Sequence, residues 1–164
     1  MKASRTREAF IVDSVTTIPM EIVAANFLDL NALNRLERRC FGADAWPLLD
    51  LIAVLTLREV VRLKAVEHGQ MIGFIAGDPR PTQGFAWIAT VGVAPEFRRR
   101  GVGRLLLRAC EARLTTPTLR LSVRMTNRGA IRLYEEEGYS RVDVLQNYYR
   151  DGEAAIMMEK SRAL

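Results

Sequence analysis

A mixed α/β fold, with a mostly antiparallel sheet of seven strands flanked by about four helices, is what this chain of 164 residues predicts. Three observations predict it. Strand-like and helix-like apolar periodicities succeed one another along residues 21 to 160. Strand-like runs in the middle of the chain follow one another through short turns, as antiparallel neighbours do. The last of these runs passes through a glycine-punctuated basic loop straight into an amphipathic helix.

Each element has its own signal. Residues 1–19 carry no clear period and read as an N-terminal extension, in which Ala9-Phe10-Ile11-Val12 either adds a short strand or stays an arm. Residues 20–164 read as one domain. A first strand is expected over 21–26. Leu30, Leu33, Leu36 and Glu37 begin a helix that ends near Phe41-Gly42. Trp46-Pro47 opens a second helix, with Leu48, Leu51, Ile52 and Leu55 on its apolar face. Strands over 60–67 and 71–76 join through His68-Gly69, a hairpin composition, and 84–93 is the next strand. Within it, Gly92 marks a bulge or a close backbone approach. Val102, Leu105, Leu106, Ala109 and Cys110 form one face of a helix over 101–114. A strand over 119–123 follows. Asn127 then caps a helix that Gly138 terminates, and strands over 139–145 and 154–160 close the chain as a hairpin.

Composition narrows the function classes. Hydrophobic content of 49% with 26% charged residues suits a globular protein with a real core. No apolar run approaches the ~18 residues of a membrane span, and the N-terminus lacks a signal peptide's apolar stretch. Cys40 and Cys110 read as reduced, small hydrophobes, so a cytoplasmic setting with no membrane partner is expected. His68 is the one histidine, too few for a metal site or a Ser-His-Asp triad. A net charge of +5 permits nucleic-acid contact, but aromatic and basic residues do not interleave as in single-strand binders, and no nucleic-acid partner is expected.

The chemistry starts at Val91-Gly92-Val93-Ala94-Pro95-Glu96-Phe97-Arg98-Arg99-Arg100-Gly101-Val102-Gly103-Arg104. This run delivers arginines and glycines to a helix N-terminus, where free N–H groups and the dipole favour an anion. Gly101 and Gly103 let a phosphate approach the main chain, and arginine adds charge in a fork of donors. The expected ligand is a pyrophosphate. A Walker loop is absent. A dinucleotide fingerprint fails too, because Leu106 stands at its third glycine and no acid occurs in Leu119-Arg120-Leu121.

What remains is Arg-x-x-Gly-x-Gly, at Arg98, Gly101 and Gly103, which resembles the acetyl-CoA-binding motif of the GNAT acetyltransferase superfamily. A second run, Asn127-Arg128-Gly129-Ala130-Ile131-Arg132-Leu133-Tyr134-Glu135-Glu136-Glu137-Gly138-Tyr139, resembles that superfamily's Asn-x-x-Ala-x-x-Leu-Tyr-x-x-x-Gly-Phe/Tyr signature. The resemblance implies a sheet splayed between its fourth and fifth strands. It also implies acetyl-CoA as cosubstrate, held by Val91, Gly92, Val93, Arg98, Arg99, Arg100, Gly101, Val102, Gly103, Arg104, Asn127 and Tyr134. The pantetheine arm would bond the backbone of Val91 and Val93 in the gap. By the same resemblance, the N–H of Val93 polarises the thioester carbonyl and Tyr134 is the general acid.

No general base is evident. Superfamily members often carry a glutamate where Trp87 stands, and ribosomal-protein-alanine acetyltransferases carry one where this chain has Ser122. Ser122 is left to hold a water. That absence favours an easily deprotonated acceptor. An α-amine of pKa ~7.8 is roughly 14% neutral at pH 7, against about 0.04% for lysine, a gap of about 3.5 kcal/mol. Phe41 and Trp46, in Cys40-Phe41-Gly42-Ala43-Asp44-Ala45-Trp46-Pro47, lie where N-terminal acetyltransferases use an aromatic-and-proline loop against the peptide. Tyr148 and Tyr149, in Gln146-Asn147-Tyr148-Tyr149-Arg150-Asp151-Gly152-Glu153-Ala154, resemble the corresponding hairpin, with one acidic position replaced by alanine. The expected partner is therefore a protein or peptide N-terminus, a ribosomal protein being one candidate, with the enzyme a monomer or homodimer and no metal. Two alternatives stand beside it: transfer to a small-molecule amine, and acetyl-CoA sensing without catalysis.

Overall fold

The computed structural model describes residues 20–163, so the expected strand at Ala9 to Val12 lies outside the described residues. Among those described, seven strands form one sheet in the order β1-β2-β3-β4-β5-β7-β6. They are β1 (Glu21–Ala24), β2 (Val61–Glu67), β3 (Gln70–Arg80), β4 (Phe85–Val93), β5 (Thr118–Arg124), β6 (Ser140–Leu145) and β7 (Ala155–Ser161). Four α-helices cover its faces: α1 (Leu30–Phe41), α2 (Leu48–Thr56), α3 (Val102–Glu111) and α4 (Arg128–Glu136). Every neighbouring pair of strands is antiparallel except β4 and β5, which run parallel.

Element boundaries moved where local chemistry competes with periodicity. The first strand stops at Ala24 because Asn26 caps a 3-10 turn over Phe27–Asp29, accepting from Leu28 N at 2.9 Å while Asp29 returns a bond to Asn26 N. Strand β3 runs four residues past the expected Ala76, through Gly77-Asp78-Pro79-Arg80. This turn-like composition still reads as strand because β2 ends opposite Gly77. Beyond it β3 pairs only with β4, and a proline is tolerated where one side of the ladder is open. His68 and Gly69 both take positive φ, as a two-residue hairpin turn requires.

The sheet separates two apolar cores. On one face Phe74 and Ala76 of β3 meet Leu33 and Leu36 of α1 and Leu51 and Leu55 of α2. On the other, Ile75 joins Val102, Leu106 and Cys110 of α3 with Ile131 and Tyr134 of α4. Helix α3 rides unusually close to the sheet. A Cβ at Gly73 would lie 2.9 Å from Leu106 Cδ1, and one at Gly77 would lie 2.8 Å from Cys110 Sγ. Two glycines four residues apart on β3 therefore receive side chains four residues apart on α3. That contact fixes where the helix begins, and with it the glycine loop.

Candidate active site

The site is opened by a fault in the sheet. Strands β4 and β5 pair at only three positions, Phe85 to Trp87 against Thr118 to Arg120. Beyond Trp87 the β3–β4 register slips, with Ala76 opposite Thr90 but Gly77 opposite Ile88, so Ala89 is an extra residue. A bulge increases local twist and bends its strand. Here it falls where β4 leaves β5, which gives the splay a local cause. Gly92 is not the bulge. Its register opposite Phe74 is regular, and a Cβ there would come within 3.3 Å of the Phe41 ring and 3.4 Å of Cys40 Sγ. Gly92 serves the close approach of α1.

Past the splay, one edge of β4 lacks a strand partner. Ala94 N donates to Ile72 O at 2.8 Å. Main-chain direction alternates along a strand, so the N–H groups of Val91 and Val93 point the other way, into the gap. A cavity lined by Cys40, Val91, Val93, Arg98, Gly101 and Gly103, among others, runs along this edge to the start of α3. Gly101 caps α3 at φ 79°, and no side-chain cap bond is made there. The first N–H groups of α3 thus keep their capacity for an external acceptor. Asn127 behaves differently, its Oδ1 accepting from Ala130 N at 3.2 Å to cap α4, and its residue also borders the cavity.

The three loop arginines and Arg104, in the first turn of α3, do not act alike. Arg99 and Arg104 line the cavity with Arg98, while Arg98 Nε also donates to Val93 O at 3.0 Å. Arg104 pairs with Glu136, the last residue of α4, and with Glu137 just beyond it. Arg100 turns away to Glu67 on the β2–β3 hairpin, at 2.6 Å, with its guanidinium 5.2 Å from the Phe97 ring centroid. It is outside the residues lining the cavity, so three of the four arginines expected at the ligand border this cavity, while Arg100 ties the loop to the hairpin.

A second cavity of about 480 Å³ lies on the far side of Tyr134. Phe41, Trp46, Tyr148 and Tyr149, the aromatic residues expected against an acceptor, all line it, as do Trp87, Thr90 and Ser122. Phe41, Val91, Asn127, Ala130 and Tyr134 border both cavities, so the two meet there. Tyr134 is 8% exposed and packs edge-on to Tyr139 at 5.8 Å. Burial pushes its hydroxyl pKa up to about 12. A donor so raised gives its proton to a free thiolate of pKa ~8.5 less readily than an ordinary phenol does. A thiolate in the same dry site would be raised too, which narrows the gap.

Glu37 was not among the sequence-derived candidates. It sits on the buried stripe of α1 with Leu33 and Leu36, only 2% exposed, and lines the second cavity. One carboxylate oxygen accepts from Trp46 N and the other from Thr90 Oγ1, both at 3.3 Å. Neither partner is cationic, and burial raises its pKa above the ordinary carboxylate range. The expectation of a site without a carboxylate is therefore corrected: Asp44 and Asp78 line the cavity in ion pairs with Arg124 and Arg80, and Glu37 lines it without a cationic partner, supplied from α1 rather than from β4 or β5. The signal was legible as an acid at i, i+3 and i+4 spacing within an apolar face, a place glutamate seldom occupies without a role.

Comparison with known proteins agrees with this architecture. The model of the Acetyltransferase (GNAT) family matches residues 30–139. The chain belongs to that family. The match spans both arginine-glycine and Asn127–Tyr139 motifs, and it makes the chain an acyltransferase. The GNAT chain is similar to N-alpha-acetyltransferase RimI of Mycobacterium tuberculosis strain H37Rv, with 33% identity over 138 residues, covering 82% of this chain and 87% of that protein. Among solved structures it resembles the ribosomal-protein-S18-alanine N-acetyltransferase from Escherichia coli, at TM-score 0.79 and 27% identity, covering 89% and 96% of the two chains. The fold also matches Arabidopsis thaliana NAA60 in complex with acetyl-CoA, at TM-score 0.74 and 18% identity over 87% of this chain and 98% of that one. No helix among the described residues is long and apolar enough to cross a membrane.

Proposed function

We propose that this GNAT N-acetyltransferase moves the acetyl group of acetyl-CoA to the N-terminal α-amine of a protein or peptide. The observation that carries this reading is the meeting of two cavities at Tyr134, one along the free β4 edge and one walled by aromatic side chains. The first fits acetyl-CoA. Its uncapped α3 start and three arginines suit a pyrophosphate, and the Val91 and Val93 main-chain groups suit an amide-bearing arm that needs hydrogen-bond partners. Bound there, acetyl-CoA supplies an activated acetyl thioester.

The second cavity fits an extended acceptor between Phe41 and Trp46 on one side and Tyr148 and Tyr149 on the other. Glu37 takes the proton that an incoming ammonium loses on becoming a nucleophile. A carboxylate with a raised pKa is better matched to that task than an ordinary one. Val93 N–H donates to the carbonyl oxygen where charge develops. Tyr134 gives a proton to the departing sulfur and regains one from the second proton the nitrogen sheds as the amide forms, so the net release is the single proton that Glu37 takes from the ammonium. Ser122 lines the acceptor cavity and is suited to hold a water.

Relatives named for N-alpha and ribosomal-protein-alanine acetylation support a protein N-terminus over a small amine. A panel of peptides differing in their first two residues, assayed beside polyamines and aminoglycosides, tests the reading. Transfer to peptide α-amines is expected, with blocked N-termini inert. Transfer confined to the small amines would refute it.

A further inference from the structure

Arg124, the last residue of β5, gathers three carboxylates from two distant segments. Its Nε donates at 2.9 Å to Asp44, in the connection between α1 and α2. Its Nη1 donates at 2.9 Å to Asp151 and also to Glu153, both in the β6–β7 hairpin. The guanidinium carbon lies 4.0 Å from the centroid of the Tyr149 ring. Glu153 reaches further, accepting from Thr126 N at 2.9 Å and Thr126 Oγ1 at 2.5 Å, one residue before the Asn127 cap. Arg124 itself borders both cavities.

We propose that Arg124 is a positioning residue that clasps the two acceptor-binding loops across the second cavity and ties them to the Asn127 end of α4. The loops it joins carry the four aromatic walls: Phe41 and Trp46 flank Asp44, while Tyr148 and Tyr149 precede Asp151. Only a planar fork can address partners in three directions while its face stacks on a ring, so lysine is no substitute. The charge balance adds to the effect. With the guanidinium gone, Asp44, Asp151 and Glu153 face one another without a cation, and their repulsion drives the loops apart. The clasp therefore acts on acceptor binding and leaves the arginine-glycine loop alone.

This inference rests on the second cavity being the acceptor site, and the test separates the two ideas. In the full chain, Arg124→Gln should raise the peptide KM about tenfold or more while the acetyl-CoA KM stays within about twofold, the mark of lost acceptor positioning. Arg124→Lys should not restore the peptide KM. Backbone hydrogen exchange should accelerate in residues 42–47 and 147–153 together. Asp44→Asn, which detaches one arm, should accelerate 42–47 and leave 147–153 near wild type. It should also add less damage to Arg124→Gln than it causes alone, because it removes part of the repulsion. Equal rises in both KM values, or unchanged exchange in either loop of Arg124→Gln, would overturn the clasp. A wild-type enzyme inert toward every peptide would sink the acceptor reading instead, and the exchange measurements would still decide whether Arg124 holds the loops.

Discussion

At the residue scale, the proposed reaction divides the proton traffic between Glu37 and Tyr134 on physical grounds. Both are buried, and burial disfavours the charged form of each. For Tyr134 this keeps the hydroxyl protonated at neutral pH, as a proton donor needs. For Glu37 it creates an acid limb above the usual carboxylate range. Tyr134→Phe should lower kcat with little change in acetyl-CoA affinity, whereas Glu37→Gln should lower kcat near neutrality and let activity climb with pH as the acceptor amine deprotonates unaided. Matching kcat–pH profiles for Glu37→Gln and wild type would remove Glu37 from the chemistry. Stability should move the opposite way. The unfolded glutamate ionises near pH ~4.3, below the folded one. Between those two values the unfolded state is favoured increasingly, and the cost to the fold persists above them. Thermal melts should therefore show Glu37→Gln gaining on wild type as pH rises from about 4, and keeping that gain once the folded carboxyl has ionised.

At the element scale, the site depends on how near α3 can lie to β3. The face Val102, Leu106 and Cys110 is fully apolar and packs where Gly73 and Gly77 offer no side chain. An alanine at position 77 would place its Cβ 2.8 Å from Cys110 Sγ and 3.0 Å from Leu114 Cδ1. Cores overpacked in this way lose about 1–3 kcal/mol. Gly77→Ala should show that loss in denaturant titrations, because it wedges the C-terminal end of α3 away from β3. A denaturation midpoint equal to wild type would mean the helix shifts freely. The bulge at Ala89 works at the same scale, since one extra residue converts a paired strand into a strand with an open edge.

At the scale of the whole molecule, two half-sites from opposite parts of the chain are joined by the sheet. In the proposed reaction the β4–α3 segment supplies the acetyl-CoA half, and the α1–α2 and β6–β7 connections supply the acceptor half. A change confined to one half should be felt there first. Gly101→Asp puts a carboxylate at the α3 start, where nothing lies within 4 Å of the added Cβ and φ is 79°. Aspartate tolerates that backbone better than most residues, so the fold should survive. Calorimetry should show acetyl-CoA affinity reduced by about tenfold or more, through lost space and repulsion of the pyrophosphate. Unchanged affinity would place the nucleotide elsewhere.

The sequence by itself determined the order of elements, because apolar period is a local property that survives into the fold. It also determined the two motifs, since the Arg98–Gly103 loop and the Asn127–Tyr134 helix are each continuous in the chain. It determined the four aromatic residues as well, although not that they would share one cavity. Only the tertiary structure decided the rest. Arg100 leaves the loop because Glu67, thirty-three residues earlier, is brought beside it by the β2–β3 hairpin. Gly92 is explained by Phe41 on another element, and the splay by a bulge that exists only as a mismatch between two strands. Arg124 was a plain charged residue in the chain, and Glu37 was legible only as an acid on an apolar helical face. Arg124 gained three carboxylate partners and Glu37 was buried because ion pairing and burial depend on distance in space, to which separation along the chain is no guide.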